Sequence, residues 1–237
     1  MYKDIDIKKL PTRGAYYKDD IFIKVRAFSV FEIASMKSMN TKTFMSQLRK
    51  LEFAMLSVDT NMDELDLCYT DVYYLYYTAY GLTYHEIKVK HGGMEILCPI
   101  NPDHFLFSFP EFSKKEDMYY DEKDIKFYHP SLYNMSKANS NIIKSAVKGV
   151  EIINDTAMLE RMALVPYLQE GKISDNALDF VNEHMMTFSD EDIQDMRKFI
   201  NSKENMVLGQ KLSIQEDGEE KELLISLSQL VWVAEQK

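Results

Sequence analysis

The chain has 237 residues, 46% hydrophobic and 28% charged, with 38 acidic against 28 basic side chains and a formal net charge of −10. That length allows one large domain or two small ones around a sizeable core, and the acidic balance argues against a nucleic-acid surface, which needs clustered Lys and Arg. Two cysteines exclude a disulfide framework, no apolar run nears the roughly twenty residues that span a bilayer, and the start lacks a signal peptide's apolar stretch. These properties predict a soluble protein made in a reducing compartment.

The first forty residues carry dense local signals. Leu10-Pro11-Thr12-Arg13-Gly14 leads through Tyr16 and Tyr17 into a turn at Lys18-Asp19-Asp20. Pro11 stiffens the chain, and Gly14 can take the positive φ of a sharp turn. Ile21, Ile23 and Val25 alternate with Phe22, Lys24 and Arg26, the period of a strand. Ser29 with Glu32 reads as a capping box, with Phe28 placed to staple onto the first helical turn. None of these pieces places a nucleophile, a base or a phosphate cradle. The segment therefore reads as a docking element, with Leu10, Pro11, Arg13, Tyr16, Tyr17 and Phe22 as its interface residues. Deleting residues 1–27 is expected to leave the helical body folded.

After a break at Asn40-Thr41, apolar residues Phe44, Leu48, Leu51 and Met55 have helical spacing. Lys42, Arg49 and Lys50 fall in the same segment and read as a solvated helix face, interrupted by Glu52. Thr70 or Asp71 suits a helix N-cap. The helix over 72–80 presents Tyr73, Tyr76, Tyr77 and Tyr80 on a broad face, read as core or subunit interface, and Gly81 closes it. A hairpin follows, turning at His91-Gly92-Gly93 and returning into Cys98-Pro99.

Residues 109–135 change character, with Pro110, Pro130 and charged runs among Phe109, Phe112, Tyr119, Tyr120, Phe127 and Tyr128. This reads as an inserted arm that orders against a neighbour, and Phe112, Tyr119 and Tyr120 join the expected interface. From 136 to 200 the pattern is mostly helical, with helices over 141–150, 157–168 and 177–186. Another opens at Ser189-Asp190-Glu191-Asp192, its acids at the positive end of the helix dipole. A C-terminal hairpin turns at Asp217-Gly218, and Trp232 is expected to pack after it. The fold class is α+β, with short β-hairpins near the start, middle and C-terminus around a mainly helical body. The organisation reads as 1–108, an aromatic and charged insert at 109–135, and 136–237.

Two segments resemble the baseplate hub and hub assembly proteins of T-even-like contractile-tailed bacteriophages. The first is the order Leu10-Pro11-Thr12-Arg13-Gly14, a Tyr, an extended run ending at Val25-Arg26, and an acidic helix start. The second is an Asp71-initiated helix ending in Tyr80-Gly81, followed by the hairpin. In that family the hairpin carries Cys-Pro-x-Cys and looks like a zinc-ribbon knuckle; here Cys98-Pro99-Ile100-Asn101 lacks the second cysteine. The resemblance covers most of the chain as an order of elements, and particular residues only near 10–32 and 70–99. It implies a non-enzymatic tail protein, a hub component or a hub assembly factor, acting with other phage baseplate or tail proteins. Such a protein would lie in the host cytoplasm during assembly, and in the virion baseplate if retained. Self-association into a homo-oligomer is open to it, and neither a membrane nor a nucleic acid is an expected partner.

Metal and catalytic chemistry find little purchase. His91, Cys98 and His104, with Cys68 a remote fourth, match no closed zinc spacing, so no metal is assigned and no cofactor is expected. The chain has no Gly-x-Ser-x-Gly, Walker, Gly-x-Gly-x-x-Gly or His-Glu-x-x-His motif. Nothing orients Cys98 against any of the five histidines, and a structural thiol is the better reading. No catalytic residue is assigned. The rival classes are a metal- or thiol-dependent enzyme and a nucleic-acid-binding adaptor.

Overall fold

The computed structural model describes residues 2–17, 21–36, 47–56, 66–91, 94–101, 105–108, 119–147, 156–169, 172–173, 177–204, 207–216 and 218–226. The architecture is α+β: small antiparallel sheets lie near the start, middle and C-terminal end of a helical body.

The alternation at 21–25 produces strand β2 (Ile23–Arg26), flanked antiparallel by β1 (Tyr2–Ile5) and β3 (Ala54–Leu56). Tyr2 stands opposite Arg26 and Ile5 opposite Ile23, while Lys24 faces Met55. Ile5, Ile21, Ile23 and Val25 point inward and are buried. The first sheet thus gathers strands from across fifty residues and is no simple hairpin. The expected helix through Leu51 and Met55 is a strand at that end. Gln47 and Leu48, the first described residues of that stretch, are helical, and residues 41–46 lie outside the described set. The edge of β2 decides the matter, because the Arg26 N–H donates to the Phe53 carbonyl at 3.0 Å. An open strand edge needs backbone partners, and side-chain spacing alone is a weak preference against that.

Helix α1 (Val30–Met36) opens with the expected capping box. Ser29 N–H donates to Glu32 at 2.7 Å, and Glu32 N–H donates to Ser29 Oγ at 3.3 Å. Phe28 lies in the first core, against which Ile33 of that turn also packs. It is buried with ring centroids 5.5 Å from Phe53 and 5.3 Å from Tyr76, and its N–H donates to Thr83 Oγ1 at 2.9 Å.

Helix α2 (Tyr69–Tyr84) outruns the expected span at both ends. Cys68 is its N-cap, Asp71 lies in its first turn, and the chain leaves at His85 with φ 56°. Gly81 is a buried helical residue whose carbonyl accepts the His85 N–H at 3.1 Å. Val72, Leu75, Tyr76, Ala79 and Tyr80 are buried, so the helix is covered on several sides and forms the axis of the first core. Its tyrosines contact one another along the helix, Tyr73 with Tyr77 at 6.4 Å and Tyr80 with Tyr84 at 4.6 Å. The tyrosine face is therefore core, and burial raises Tyr73 to about 12. Strands β4 (Glu86–His91) and β5 (Met94–Pro99) form the expected hairpin, with His91 opposite Met94.

The second core lies among α3 (Leu132–Val147), α4 (Thr156–Leu168), α5 (Ala177–His184) and α6 (Asp190–Glu204). Met162, Val165, Val181, Ile193, Met196 and Ile200 fill it. A two-residue-per-strand hairpin, β7 (Tyr119–Tyr120) and β8 (Ile125–Lys126), closes one side. Helix α3 starts nearer Leu132 than the expected 141, and Pro166 sits inside the last turn of α4 without ending it. Helix α6 opens where expected, and Ser189 and Asp192 cap it reciprocally at 3.0 and 3.1 Å. The described part of 109–135 joins both cores: Tyr120 and Phe127 pack in the second, Leu132 in the first.

Strands β9 (Val207–Glu216) and β10 (Glu219–Ser226) form the C-terminal hairpin, and Gly218 takes the positive φ of its turn. An unexpected strand, β6 (Phe105–Ser108), pairs with the other edge of β9. Buried Gln210 ties this sheet to the end of β5: its Nε2 donates to the Pro99 carbonyl at 2.7 Å, and its Oε1 accepts the Asn101 N–H at 3.1 Å. Trp232 lies outside the described residues.

Candidate functional site

The opening turn is held to α2 by one carboxylate. Asp71 is fully buried and accepts from Thr12 N–H at 2.9 Å, Thr12 Oγ1 at 2.5 Å and the Tyr17 hydroxyl at 2.5 Å. The same Tyr17 oxygen accepts the Cys68 N–H at 2.9 Å. The turn needs Gly14 at φ 75°, because a Cβ there would sit 2.3 Å from Ile7 Cγ2. Burial raises Asp71 to about 6, while the hydrogen bonds from Thr12 and Tyr17 and the nearby His129 pull the other way. A second stitch, Phe28 to Thr83, joins the same two stretches. The segments 10–32 and 70–99 are thus one physical unit.

A second carboxylate fixes the start of α1. Arg26 grips Glu32 with both terminal nitrogens at 2.7 and 3.1 Å and also donates to the Glu52 carbonyl. Glu32 further accepts from Ser29 N–H at 2.7 Å and Glu52 N–H at 2.8 Å. Burial works against its charge, but the Arg26 guanidinium and these N–H donors outweigh it and lower Glu32 to about 2. The first turn of α1 is therefore locked to β2 and to the chain entering β3.

That locked turn presents Val30 and Phe31, which are 81% and 86% exposed. The outward face of the first sheet adds Tyr2, Phe22 and Met55 at 51%, 45% and 44%. Lys24 runs between them, 4.9 Å from the Phe22 ring and 3.5 Å from Asp4. The arrangement offers apolar anchors on a rigid base with a polar border, which is the chemistry of protein docking.

The expected interface residues divide between inside and outside. Leu10 and Pro11 are buried in the first core, and Tyr17 is engaged by Asp71. Tyr120 is buried beside Phe199, at 5.2 Å. These four hold the chain's own fold together and are not open contacts; a rigid turn rich in apolar and hydroxyl groups served a neighbouring helix. Tyr16 is half-buried edge-on to His129 at 4.7 Å. Arg13, Phe22 and Tyr119 are exposed, the last donating its hydroxyl to Asp124. Phe112 and His104 lie outside the described residues.

His91 and Cys98 occupy β4 and β5, opposite Met94 and Ile87 respectively, and their side chains lie outside the described set. The register separates them by four residues along the hairpin, about 13 Å of strand. Cys68 is a buried thiol at the N-cap of α2. Among the described residues no group of three or more His, Cys, Asp or Glu could hold a metal ion, and no helix is long and apolar enough to cross a membrane.

Val30 and Phe31 were not among the expected interface residues, although a signal existed. The inward side of α1 carries Ile33 and Met36, which pack on the first core, so two large apolar residues directly after the cap fall off that stripe. Comparison of the chain with known protein families, curated proteins and solved structures returned no match.

Proposed function

We propose that this chain is a non-enzymatic assembly protein of a contractile phage tail, a baseplate hub component or hub assembly factor. It docks other baseplate proteins through Val30, Phe31 and the outer sheet face of Tyr2, Phe22 and Met55. The observation that carries the docking reading is Phe31, the most exposed of the large hydrophobic side chains described, held out by the clamp between buried Glu32 and half-buried Arg26. Covering a Phe side chain is worth about 1.5–3 kcal/mol, which a partner recovers without a conformational cost because the turn is already fixed. The phage assignment rests on the resemblance within 10–32 and 70–99. The Asp71 and Thr83 hydrogen bonds give those two stretches a physical reason to occur together.

Complementation of baseplate assembly tests the reading, using a Val30→Ser, Phe31→Ser double variant beside the wild-type chain. Both side chains are solvent-facing, so the melting temperature should hold, while binding to the partner weakens about 30-fold for a hot-spot loss of about 2 kcal/mol. A stable double variant that assembles baseplates at the wild-type level would overturn this function for the face.

A further inference from the structure

We infer that Tyr133 and the cations around it form a recognition site for an acidic peptide segment of a partner protein. The Arg49 guanidinium lies 5.8 Å from the Tyr133 ring centroid, the Lys172 ammonium 5.4 Å and the Lys137 ammonium 6.0 Å. No two of these charges are therefore farther apart than about 12 Å. They come from three places in the chain: the turn before β3, one face of α3, where Tyr133 and Lys137 are one turn apart, and the stretch after α4. Lys50, exposed beside Arg49, adds a fourth cation to the neighbourhood.

Such convergence is unusual in a chain of net charge −10. The face of an aromatic ring attracts cations and offsets part of their mutual repulsion, and a carboxylate beside them offsets more. The site already shows which anion it suits, since Lys172 holds the Asp66 carboxylate at 3.3 Å. Arg49 and Lys172 are exposed and can take further carboxylates. The half-buried Tyr133 sets their spacing.

The observations favour a peptide over a nucleic acid. A polyanion must approach against the overall negative charge, and a nucleic-acid footprint neutralises a row of phosphates, whereas this patch answers a few charges at one point. Cations crowd the Tyr133 ring, so it serves as their support and not as a platform for stacking bases. The inference rests on the preceding reading only in taking the partner to be a protein. The two sets of residues do not overlap, so each fails separately.

Fluorescence anisotropy of the full chain with a labelled hexaglutamate peptide, and in parallel with labelled oligothymidylate, tests the site at low ionic strength. The peptide should bind the wild type, and binding should weaken about tenfold in an Arg49→Glu, Lys172→Glu variant. It should fade by about 0.2 M salt, where screening acts within about 7 Å. A Lys198→Glu, Lys211→Glu variant carries the same change in net charge at other exposed positions and should bind within about twofold of the wild type. An Arg49→Gln, Lys172→Gln variant covers disruption of folding by charge reversal and should weaken binding about threefold. Three results overturn the inference: no peptide binding by the wild type, equal losses in the patch and control variants, or tighter binding of the oligothymidylate through Arg49 and Lys172. A Val30→Ser, Phe31→Ser chain should bind the peptide unchanged, which separates this result from the docking face.

Discussion

Asp71→Asn keeps the shape of the carboxyl that joins the opening turn to α2 while removing its charge. Burial raises Asp71 from its ordinary 3.8 to about 6, the Thr12 and Tyr17 donors notwithstanding. An acid raised in this way keeps its proton in the native state after the unfolded chain has lost it. Between about pH 4 and 6 the native state then binds more protons, and stability falls as pH rises. Below that window the carboxyl is neutral in both states and no penalty applies; above it the carboxyl is ionised in both, and the penalty is full and constant. At about 1.4 kcal/mol per pH unit, the window amounts to about 3 kcal/mol. The variant does not titrate there. Urea unfolding followed by circular dichroism should therefore show the variant gaining about 3 kcal/mol on the wild type from about pH 4 to 7. Asp71→Ala instead removes the acceptor of three donors and should cost about 3 kcal/mol near pH 4, at about 1 kcal/mol for each hydrogen bond. Parallel pH curves for wild type and Asp71→Asn would refute the reasoning, because the carboxyl would then ionise as it does in water.

Glu32→Ala should cost about 2 kcal/mol at neutral pH, through the lost cap and the loss of the carboxylate that pairs with Arg26. Because Glu32 is lowered from 4.5 to about 2, this contribution is complete above about pH 4.5 and disappears as pH falls towards 2; a loss below about 0.5 kcal/mol in chemical denaturation would show the clamp to be idle. Deleting residues 1–27 should abolish cooperative unfolding of the first core, contrary to the expectation that the segment is a docking element whose loss leaves the helical body folded. It removes Ile5, Leu10, Ile21, Ile23 and Val25 from that core, about 10 kcal/mol at about 2 kcal/mol each, which rivals the whole stability of a domain. A truncated chain with native near-ultraviolet circular dichroism and a sharp melting transition would contradict this.

What the sequence determined by itself are features settled within a few residues. The alternation at 21–25, the Ser29–Glu32 box, the acidic start of α6, the pairing of His91 with Met94 and the positive φ at Gly14 and Gly218 each depend on neighbours one to four positions away. Together they were enough for the α+β class. Strands β1, β3 and β6 were not legible, since each is three or four residues long and is defined by a partner far along the chain. Leu48, Leu51 and Met55 have the spacing of a helix, and only the open edge of β2 made the end of that stretch a strand. The sites divide in the same way. The apolar pair Val30-Phe31 lies off the inward stripe of α1 and could have been read locally. Asp71 looked like a helix cap until the fold brought Thr12 and Tyr17 to it, and nothing near Arg49 points to Tyr133 or Lys172. Caps and turns are hydrogen bonds between sequence neighbours, whereas strand pairing and the burial or clustering of charge depend on which distant surfaces meet, and only the tertiary structure decides that.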